Sequence, residues 1–567
     1  MTPAGAAGAM GLVRWCVDAC RAAAARLARG LYRIDHYDLA AALLFATLLV
    51  LIGLTFGDYA ISNDEEVQQR YGELIVGYYA SGFIDQGVFH FRDLYLYGGL
   101  FDIAAIGLEK LVPLDTYAVR HILSALAGVG GIAAVWATAR TIAGPRAGLL
   151  AAAMLAVCGT WYGTMFNHTK DIPFAAAMMA ATYFLVRIGR ELPRPRWHLV
   201  ALFGVFCGAA LGIRVLGLFL LAYAGLVVVL QAPIGRAPWR EIIRFGARCA
   251  LPFAAACVLA YVIMIAAWPW AGLAPLNPLR ALTTFVDFNY PIRTMLDGQV
   301  YRMADVPRWY VPTYLAIKLT LWLIAGAGVA LVLALSPRRF SPANVAAATD
   351  MAWRKETALI AFAALFPLLC EVIVRGPADT GLRHFLFIVP PIAVLAGLGV
   401  DGLLRRIEGY HRFAVAAGLG LVLVGLASNA TTLYRLHPDE YLFFNALVGG
   451  LEGASRRYAT DYWVNIMPEA VADLEHVLDR TDNASGRPRH YLVGVCGERL
   501  PFEKQADSRL EYTRDWSRAE FFIAPTHMNC DQALDGRVVA TIERLGVVIG
   551  VVKDRRNVIH PNIARNH

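Results

Sequence analysis

DLAAALLFATLLVLIGLTFGDYAISNDEE, residues 38–66, indicates the fold class of this chain. Residues 38–56 are almost uniformly apolar and long enough to cross a hydrocarbon core of about 30 Å. Polar residues follow at once and end in Asn63-Asp64-Glu65-Glu66. An apolar run that stops at an acidic segment is typical of a membrane span followed by a loop in water.

The composition of the whole chain favours the same interpretation. Of 567 residues, 57% are hydrophobic and only 17% are charged, whereas soluble domains carry about 25% charged residues. The net charge of +8 does not indicate nucleic-acid binding, because the arginines are concentrated in alternate loops between apolar runs. The chain is therefore predicted to be a polytopic membrane protein.

Hydropathy and the arginine-rich flanks together predict about eleven spans. They are 38–56, 120–139, 147–165, 172–189, 198–213, 215–232, 249–268, 312–335, 357–374, 384–401 and 413–431. Every second loop is basic, beginning with residues 1–37, which favours a cytoplasmic N-terminus. Residues 1–37 contain no small-residue cleavage site after an apolar run, so the first span is expected to be retained.

Three polar regions are then expected on the outer side. The first loop, 57–119, contains two amphipathic segments, 65–82 and 98–112, which are predicted to be helices in the membrane interface. The second region, 269–311, is rich in Trp, Pro and Asn. The third, 434–567, is predicted to be a periplasmic α/β domain, with a helix at Pro468–Arg480 and strands at 491–495, 521–524 and 538–552.

The predicted fold class is thus mainly α. It is a polytopic transmembrane helical bundle (38–433) with interfacial helices in the first outer loop and a small C-terminal α/β extracytoplasmic domain. The preceding residues 1–37 are predicted to be a cytoplasmic tail. If the C-terminal region lies outside the cytoplasm, Cys496 and Cys530 are candidates for a disulfide.

Two groups of acids follow predicted spans on the outer side. Asp64 and Glu65 begin an interfacial helix, where acids favour the positive end of the helix dipole; alternatively, a carboxylate there acts as a general base toward an acceptor hydroxyl. The hairpin 167–173 reads Asn-His-Thr-Lys-Asp-Ile-Pro. Its Asp and Pro suit a helix start, but Lys170 can also meet a phosphate while Asp171 assists the base.

Cations at the ends of predicted spans are the second group of candidates. Arg214 lies where two apolar runs meet, and it either marks a helix end or binds an anion. Arg383 and His384, with Arg375, flank the short outer loop 376–382. Because guanidinium groups offer a fixed fork of donors, several arginines on one face suit a phosphate at headgroup level.

Several short motifs together resemble the GT-C superfamily of polytopic glycosyltransferases. The resemblance is strongest to the group of glycosyltransferase family 39 that contains protein O-mannosyltransferases and the aminoarabinose transferase of lipid A modification. The motifs are Asp64-Glu65, the run 95–101 (Tyr-Leu-Tyr-Gly-Gly-Leu-Phe), the hairpin 168–173, Trp268-Pro269-Trp270, the run 381–385 (Gly-Leu-Arg-His-Phe), the run 437–441 with Phe444-Asn445, and Asp461-Tyr462-Trp463.

The resemblance implies transfer of a sugar from a polyprenyl-phosphate carrier, with inversion, at the outer face of the bacterial inner membrane. It implies Asp64, with Glu65 and Asp171, as catalytic acids, and Lys170, Arg214, Arg383 and His384 as ligands of the donor phosphate. Acceptor binding or a lid is expected of three residues, Tyr95, Tyr97 and His168. The acceptor is a lipid, a glycan or a protein.

No metal-ligand spacing is present, so neither a metal nor another cofactor is expected, although a divalent ion remains compatible. Three alternatives stay open from the sequence. They are a transporter or flippase of lipid-linked glycans, a ligase or polymerase that moves whole lipid-linked glycans, and a non-catalytic assembly subunit. Transporters commonly show internal repeats with broken helices, and the sequence shows neither.

Overall fold

The structure is a computed structural model that describes residues 35–286, 292–336, 347–374, 380–408, 412–482 and 490–559. Most of the predicted N-terminal tail (1–37) and residues 375–379 of the loop before Arg383 lie outside these ranges. The described residues are mostly helical, with one small mixed sheet near the C-terminus. This confirms the predicted fold class.

The helices, in chain order, are α1 (His36–Thr55), α2 (Glu65–Ala80), α3 (Leu100–Glu109), α4 (Thr116–Ala143), α5 (Pro145–Ala156), α6 (Gly159–Tyr162), α7 (Asp171–Gly189), α8 (Trp197–Leu211), α9 (Phe219–Gln231), α10 (Trp239–Ala267), α11 (Pro269–Leu273), α12 (Asn277–Val286), α13 (Tyr310–Lys318), α14 (Leu321–Leu335), α15 (Ala347–Val374), α16 (Val389–Glu408), α17 (Arg412–Leu436), α18 (Gly450–Ala454), α19 (Met467–Asp482), α20 (Arg499–Glu503) and α21 (Arg556–Ile559).

Seven of the described helical segments are long and apolar enough to cross a membrane. They are His36–Thr55, Thr116–Ala143, Asp171–Gly189, Trp239–Ala267, Asp350–Val374, Arg383–Glu408 and Phe413–Leu436. Helices α13 and α14 form a pair bent by 111° that makes an eighth if it is one span. The described ranges therefore establish a multi-pass bundle but not the predicted number of eleven.

The other three predicted spans correspond to shorter apolar helices. They are Pro145–Ala156, Trp197–Leu211 and Val215–Gln231. The helix in the predicted span 147–165 ends at Ala156, and the outer part of that run, around Gly159, lies against Phe443 of the segment that follows α17. Apolar composition there reflects burial in protein, since Trp161 is 0% exposed.

The first loop contains the two predicted amphipathic helices. Helix α2 packs against α3, and Gln69 of α2 donates a hydrogen bond to Glu109 of α3 at 3.1 Å. Asp115 caps α4 by accepting from the Tyr117 amide at 3.0 Å. Helices therefore form at both predicted positions, and their place in the membrane interface stays a prediction.

The C-terminal region contains strands β3 (Tyr491–Val495), β4 (Leu510–Tyr512), β5 (Phe521–Pro525), β6 (Arg537–Arg544) and β7 (Val547–Asp554) in the order β4-β3-β5-β7-β6. Strand β3 is parallel to β4 and β5, and β7 is antiparallel to β5 and β6. The predicted run 538–552 is a hairpin of two strands, β4 was not predicted, and α19 covers the predicted helix 468–480. The structure joins Cys496 to Cys530 in a disulfide with Cα atoms 6.5 Å apart.

A further hairpin lies in the second polar region. Strands β1 (Arg293–Leu296) and β2 (Gln299–Arg302) are antiparallel, and sequence patterning did not predict them. Tyr314 of α13 donates a hydrogen bond to the Met295 carbonyl at 2.5 Å. The hairpin is thereby attached to the bent helix pair.

Candidate active site

The first wall of the site is the turn between α1 and α2. Ser62 donates from its hydroxyl to the Asn167 carbonyl at 3.2 Å, which ties this turn to the hairpin that precedes α7. Asp64 is the N-terminal cap residue of α2, yet its side chain caps no backbone amide. Its carboxylate is therefore available for other partners.

A charged cluster forms where this turn meets the starts of α7 and of the helix after residue 380. We define the charged cluster as Asp64, Lys170, Asp171, Arg214 and Arg383. Arg383 contacts Asp64 and also donates from Nε to Asp171 Oδ2 at 3.1 Å. Arg214 contacts the other oxygen of Asp171. Two carboxylates from separate loops therefore share one guanidinium group.

The degree of burial differs within the charged cluster. The side chain of Asp171 is 3% exposed and that of Arg383 is 12% exposed, whereas Asp64 is 39% exposed. Asp64 is thus the carboxylate that a molecule in solution or at the membrane surface can reach. Asp171 is enclosed by the two arginines.

Lys170 is buried beside this ion-pair network. Its ammonium lies 4.4 Å from the centre of the Tyr97 ring, and Arg214 lies 6.0 Å from the same ring. Burial is the main cause that lowers the pKa of Lys170 to about 8. Within the described ranges no hydrogen-bond acceptor contacts its ammonium, so this cation has donors to offer to an anion.

The Tyr97 ring is held in place by close backbone packing. The Leu100 amide donates to the Gly212 carbonyl at 3.0 Å. A Cβ atom on Gly98 would lie 2.0 Å from that carbonyl oxygen, so a larger residue does not fit here. The first loop therefore sits directly on the chain segment that carries Arg214.

A buried pair behind the charged cluster was missed by sequence reasoning. Arg120, which is 0% exposed, donates to Asp102 at 2.5 Å and to Gln69 at 3.1 Å. Asp102 and Lys170 also interact electrostatically. An acid on a predicted interfacial helix and an arginine at the edge of a predicted span each look ordinary alone, and only their pairing is informative.

His168 connects the hairpin to the segment that follows the last helix of the bundle. Its Nε2 accepts a hydrogen bond from the Trp463 indole at 2.7 Å and lies 2.8 Å from the Tyr462 hydroxyl. The second ring nitrogen, Nδ1, lies 3.0 Å from Asn167 Oδ1 and 3.2 Å from the same indole nitrogen. Trp463 also lies under Arg383, at 4.4 Å from the guanidinium carbon to the ring centre.

Glu65 does not join the charged cluster as its sequence position suggested. It is 0% exposed, accepts from the Ser62 amide at 2.7 Å and pairs with His121 at 3.2 Å. Since the first position of a helix directs its side chain differently from the cap residue, two adjacent acids reach different partners. Glu65 braces the turn that presents Asp64.

Of the remaining predicted site residues, some contact the charged cluster and others do not. His384 is half-buried beside Arg383 and interacts electrostatically with Asp171. Tyr95 is also half-buried, but its ring packs on Trp270 at 5.3 Å and its carbonyl accepts from Trp268 at 2.7 Å. Tyr97 and His168 therefore touch the charged cluster or its wall, whereas Tyr95 contributes to the neighbouring aromatic belt.

In the described ranges, no three His, Cys, Asp or Glu side chains are grouped as a metal site requires.

Fold and site together define a multi-pass membrane protein with a charged cluster beside its bundle. Residues 112–270 match the family model described as dolichyl-phosphate-mannose-protein mannosyltransferase. The matched segment contains Lys170, Asp171 and Arg214, and the match confirms the resemblance to glycosyltransferases with lipid-linked donors that the sequence motifs indicated. No curated protein matches the chain.

Similar solved structures include those of a bacterial and an archaeal protein. ArnT from Cupriavidus metallidurans bound to undecaprenyl phosphate is 15% identical, with 90% of this chain and 98% of that chain covered and a TM-score of 0.45. The apo form of ArnT from Cupriavidus metallidurans is 16% identical, with 91% of this chain and 98% of that chain covered and a TM-score of 0.46. The apo oligosaccharyltransferase from Archaeoglobus fulgidus is 12% identical over 79% of this chain and 62% of that chain, with a TM-score of 0.44.

Proposed function

We propose that this chain transfers a sugar from a polyprenyl-phosphate carrier to an acceptor at the outer face of a bacterial inner membrane, with the N-terminus in the cytoplasm and the C-terminal sheet in the periplasm. The observation that carries the proposal is the charged cluster, in which a reachable carboxylate lies beside three cations. The family match over residues 112–270 and the basic alternate loops support it. The proposal uses no metal ion or other cofactor.

The charge balance favours an anionic ligand. The acids Asp64, Asp102 and Asp171 are accompanied by Arg120, Lys170, Arg214 and Arg383. Among these seven described residues, the cations exceed the acids by one charge. A sugar phosphodiester carries one negative charge, so its phosphate would balance this excess of positive charge.

The proposed reaction is a single displacement. The acceptor hydroxyl attacks the anomeric carbon while the Asp64 carboxylate takes its proton. The bond between that carbon and the phosphate oxygen breaks, and polyprenyl phosphate leaves with the electron pair. Attack opposite to the leaving group inverts the anomeric carbon.

The cations act on the leaving group. Its charge grows from one toward two as the bond breaks, and Lys170, Arg214 and Arg383 stabilise that growth at low dielectric. Arg383 is shared between Asp64 and Asp171 before the donor arrives. A phosphate that engages Arg383 therefore releases Asp64 to serve the acceptor.

Asp64→Asn tests the proposal directly. In proteoliposomes with radiolabelled polyprenyl-phosphate mannose or aminoarabinose and an envelope extract as the acceptor source, this variant is expected to lose at least about 100-fold in transfer, as removal of a general base commonly costs. Glu66→Gln is the matched control, because Glu66 is the next acid but one and is exposed. Full activity of the Asn variant would defeat the assignment, while uptake of donor without product would indicate a transporter.

A further inference from the structure

The segment after the last helix of the bundle contacts the charged cluster through the side chain of Trp463. Trp463 is 4% exposed and its ring faces the guanidinium of Arg383 at 4.4 Å. A cation over an indole face is attracted by the ring quadrupole, most strongly when water is excluded. The position of Arg383 thus depends on a residue far along the chain.

The indole is itself fixed at its edge. Its N–H donates to His168 Nε2 at 2.7 Å, and His168 is held by Asn167 on its other side. The ring therefore cannot turn away from Arg383 without breaking a buried hydrogen bond. One face binds the cation while the edge anchors to the hairpin that carries Lys170 and Asp171.

The backbone around Trp463 is held in an uncommon shape. Val464 has a φ of 57°, in the left-handed region that β-branched residues rarely adopt. Asp461 accepts from the Asn465 amide at 2.8 Å and the Ile466 amide at 3.3 Å, and the Tyr441 hydroxyl also donates to it. Surroundings that impose such a conformation are typical of sites where a side chain must be aimed.

We infer that Trp463 is a positioning residue for Arg383, so that the C-terminal region completes the phosphate-binding part of the site. This inference rests on the proposed function and adds to it a role for the segment 461–466. Trp463 does not touch the reacting atoms. It sets how Arg383 divides its donors between the two carboxylates and the incoming phosphate.

Binding of undecaprenyl phosphate to the purified full chain tests this, since the probe requires no acceptor. Trp463→Leu and Arg383→Gln are each expected to weaken binding about tenfold, and the double variant is expected to be no weaker than the Arg383 variant alone. Trp463→Phe, which keeps an aromatic face, should stay within about threefold of the wild type. Trp516→Leu is the control for loss of a tryptophan in the same region, because Trp516 packs on Phe522 in the sheet.

A second set of variants separates positioning from folding. Site-specific fluorinated tryptophans at position 463 keep the ring size but weaken its negative face, so affinity should fall stepwise with the number of fluorines. Wild-type affinity for Trp463→Leu, losses that multiply in the double variant, or insensitivity to fluorination each overturn the inference. A wild-type protein that binds no undecaprenyl phosphate and transfers no sugar overturns the proposed function as well.

Discussion

Lys170 differs from the arginines of the charged cluster at the scale of a single residue. Each arginine is neutralised by a carboxylate, whereas the described neighbours of the Lys170 ammonium are the Tyr97 ring and more distant charges. Burial outweighs the nearby acids and lowers its pKa to about 8. The Lys170 ammonium therefore titrates close to physiological pH.

Donor affinity is therefore expected to depend on pH through Lys170. Its charge is present below pH 8 and is lost as the pH rises through that value, so the KM for the donor should rise several-fold between pH 7.5 and about 9.5. Lys170→Arg should flatten this rise, because arginine stays charged. Steady-state transfer over that pH range measures it, and an unchanged KM profile in the Arg variant would contradict the assignment.

The site residues that could be predicted from the sequence are those whose position along the chain is itself unusual. Asp64 lies shortly after the predicted span 38–56 and Asp171 directly precedes the predicted span 172–189, where the physical cost of charge makes each one conspicuous. The pairing of Arg120 with Asp102 joins residues that are individually unremarkable. Trp463 meets His168 across 295 positions of sequence, and no local pattern encodes such a contact.

At the scale of elements, the length of apolar runs predicted helices better than spans. The run 147–165 is apolar enough to be predicted as a span, yet its helix ends at Ala156, and protein rather than lipid surrounds its outer half. Hydropathy reports the absence of water and does not distinguish these two surroundings. The hairpin of β1 and β2 was not predicted because four-residue strands show too little alternation of polar and apolar residues to be recognised.

Contact between the first loop and the segment after α8 is the element-scale feature that positions Tyr97. Gly98→Ala is expected to reduce transfer at least about tenfold and to destabilise the protein by about 1–3 kcal/mol, because its methyl group has no space beside the Gly212 carbonyl. Activity and thermal unfolding in detergent measure the two effects. Gly107→Ala in α3 is the matched control, since nothing lies within 4 Å of its Cβ position; equal behaviour of the two variants would contradict the packing argument.

On the scale of the whole molecule, polar contacts join the C-terminal region to the bundle. His437 bridges Asp58 at 3.0 Å and Glu440 at 2.7 Å, and hydrogen bonding to Glu440 is the main cause that raises the pKa of His437 to about 9. The Ala60 amide donates to Asn465 at 2.9 Å. The turn that contains Asp64 and the segment that contains Trp463 are thus held together by these polar contacts.

Arg544 of strand β6 adds an ion pair to these contacts, and its removal should destabilise the protein. It pairs with Asp439 at 2.8 Å, where Asp439 is 0% exposed, and with Glu469 at 2.6 Å. Arg544→Met leaves the buried Asp439 without its cation, and because burial already raises the pKa of Asp439 this group would take up a proton, so we expect a loss of about 1–3 kcal/mol. Thermal unfolding and limited proteolysis of the C-terminal region measure the loss.

The matched control is Arg537→Met on the same strand, which should be nearly neutral, because Arg537 is 76% exposed and lies 4.0 Å from its acid. Adding Asp439→Asn to the Arg544 variant should recover part of the stability, since it removes the buried acid that has lost its partner. If Arg544→Met is as stable as Arg537→Met, the contact between the sheet and the bundle does not depend on this pair.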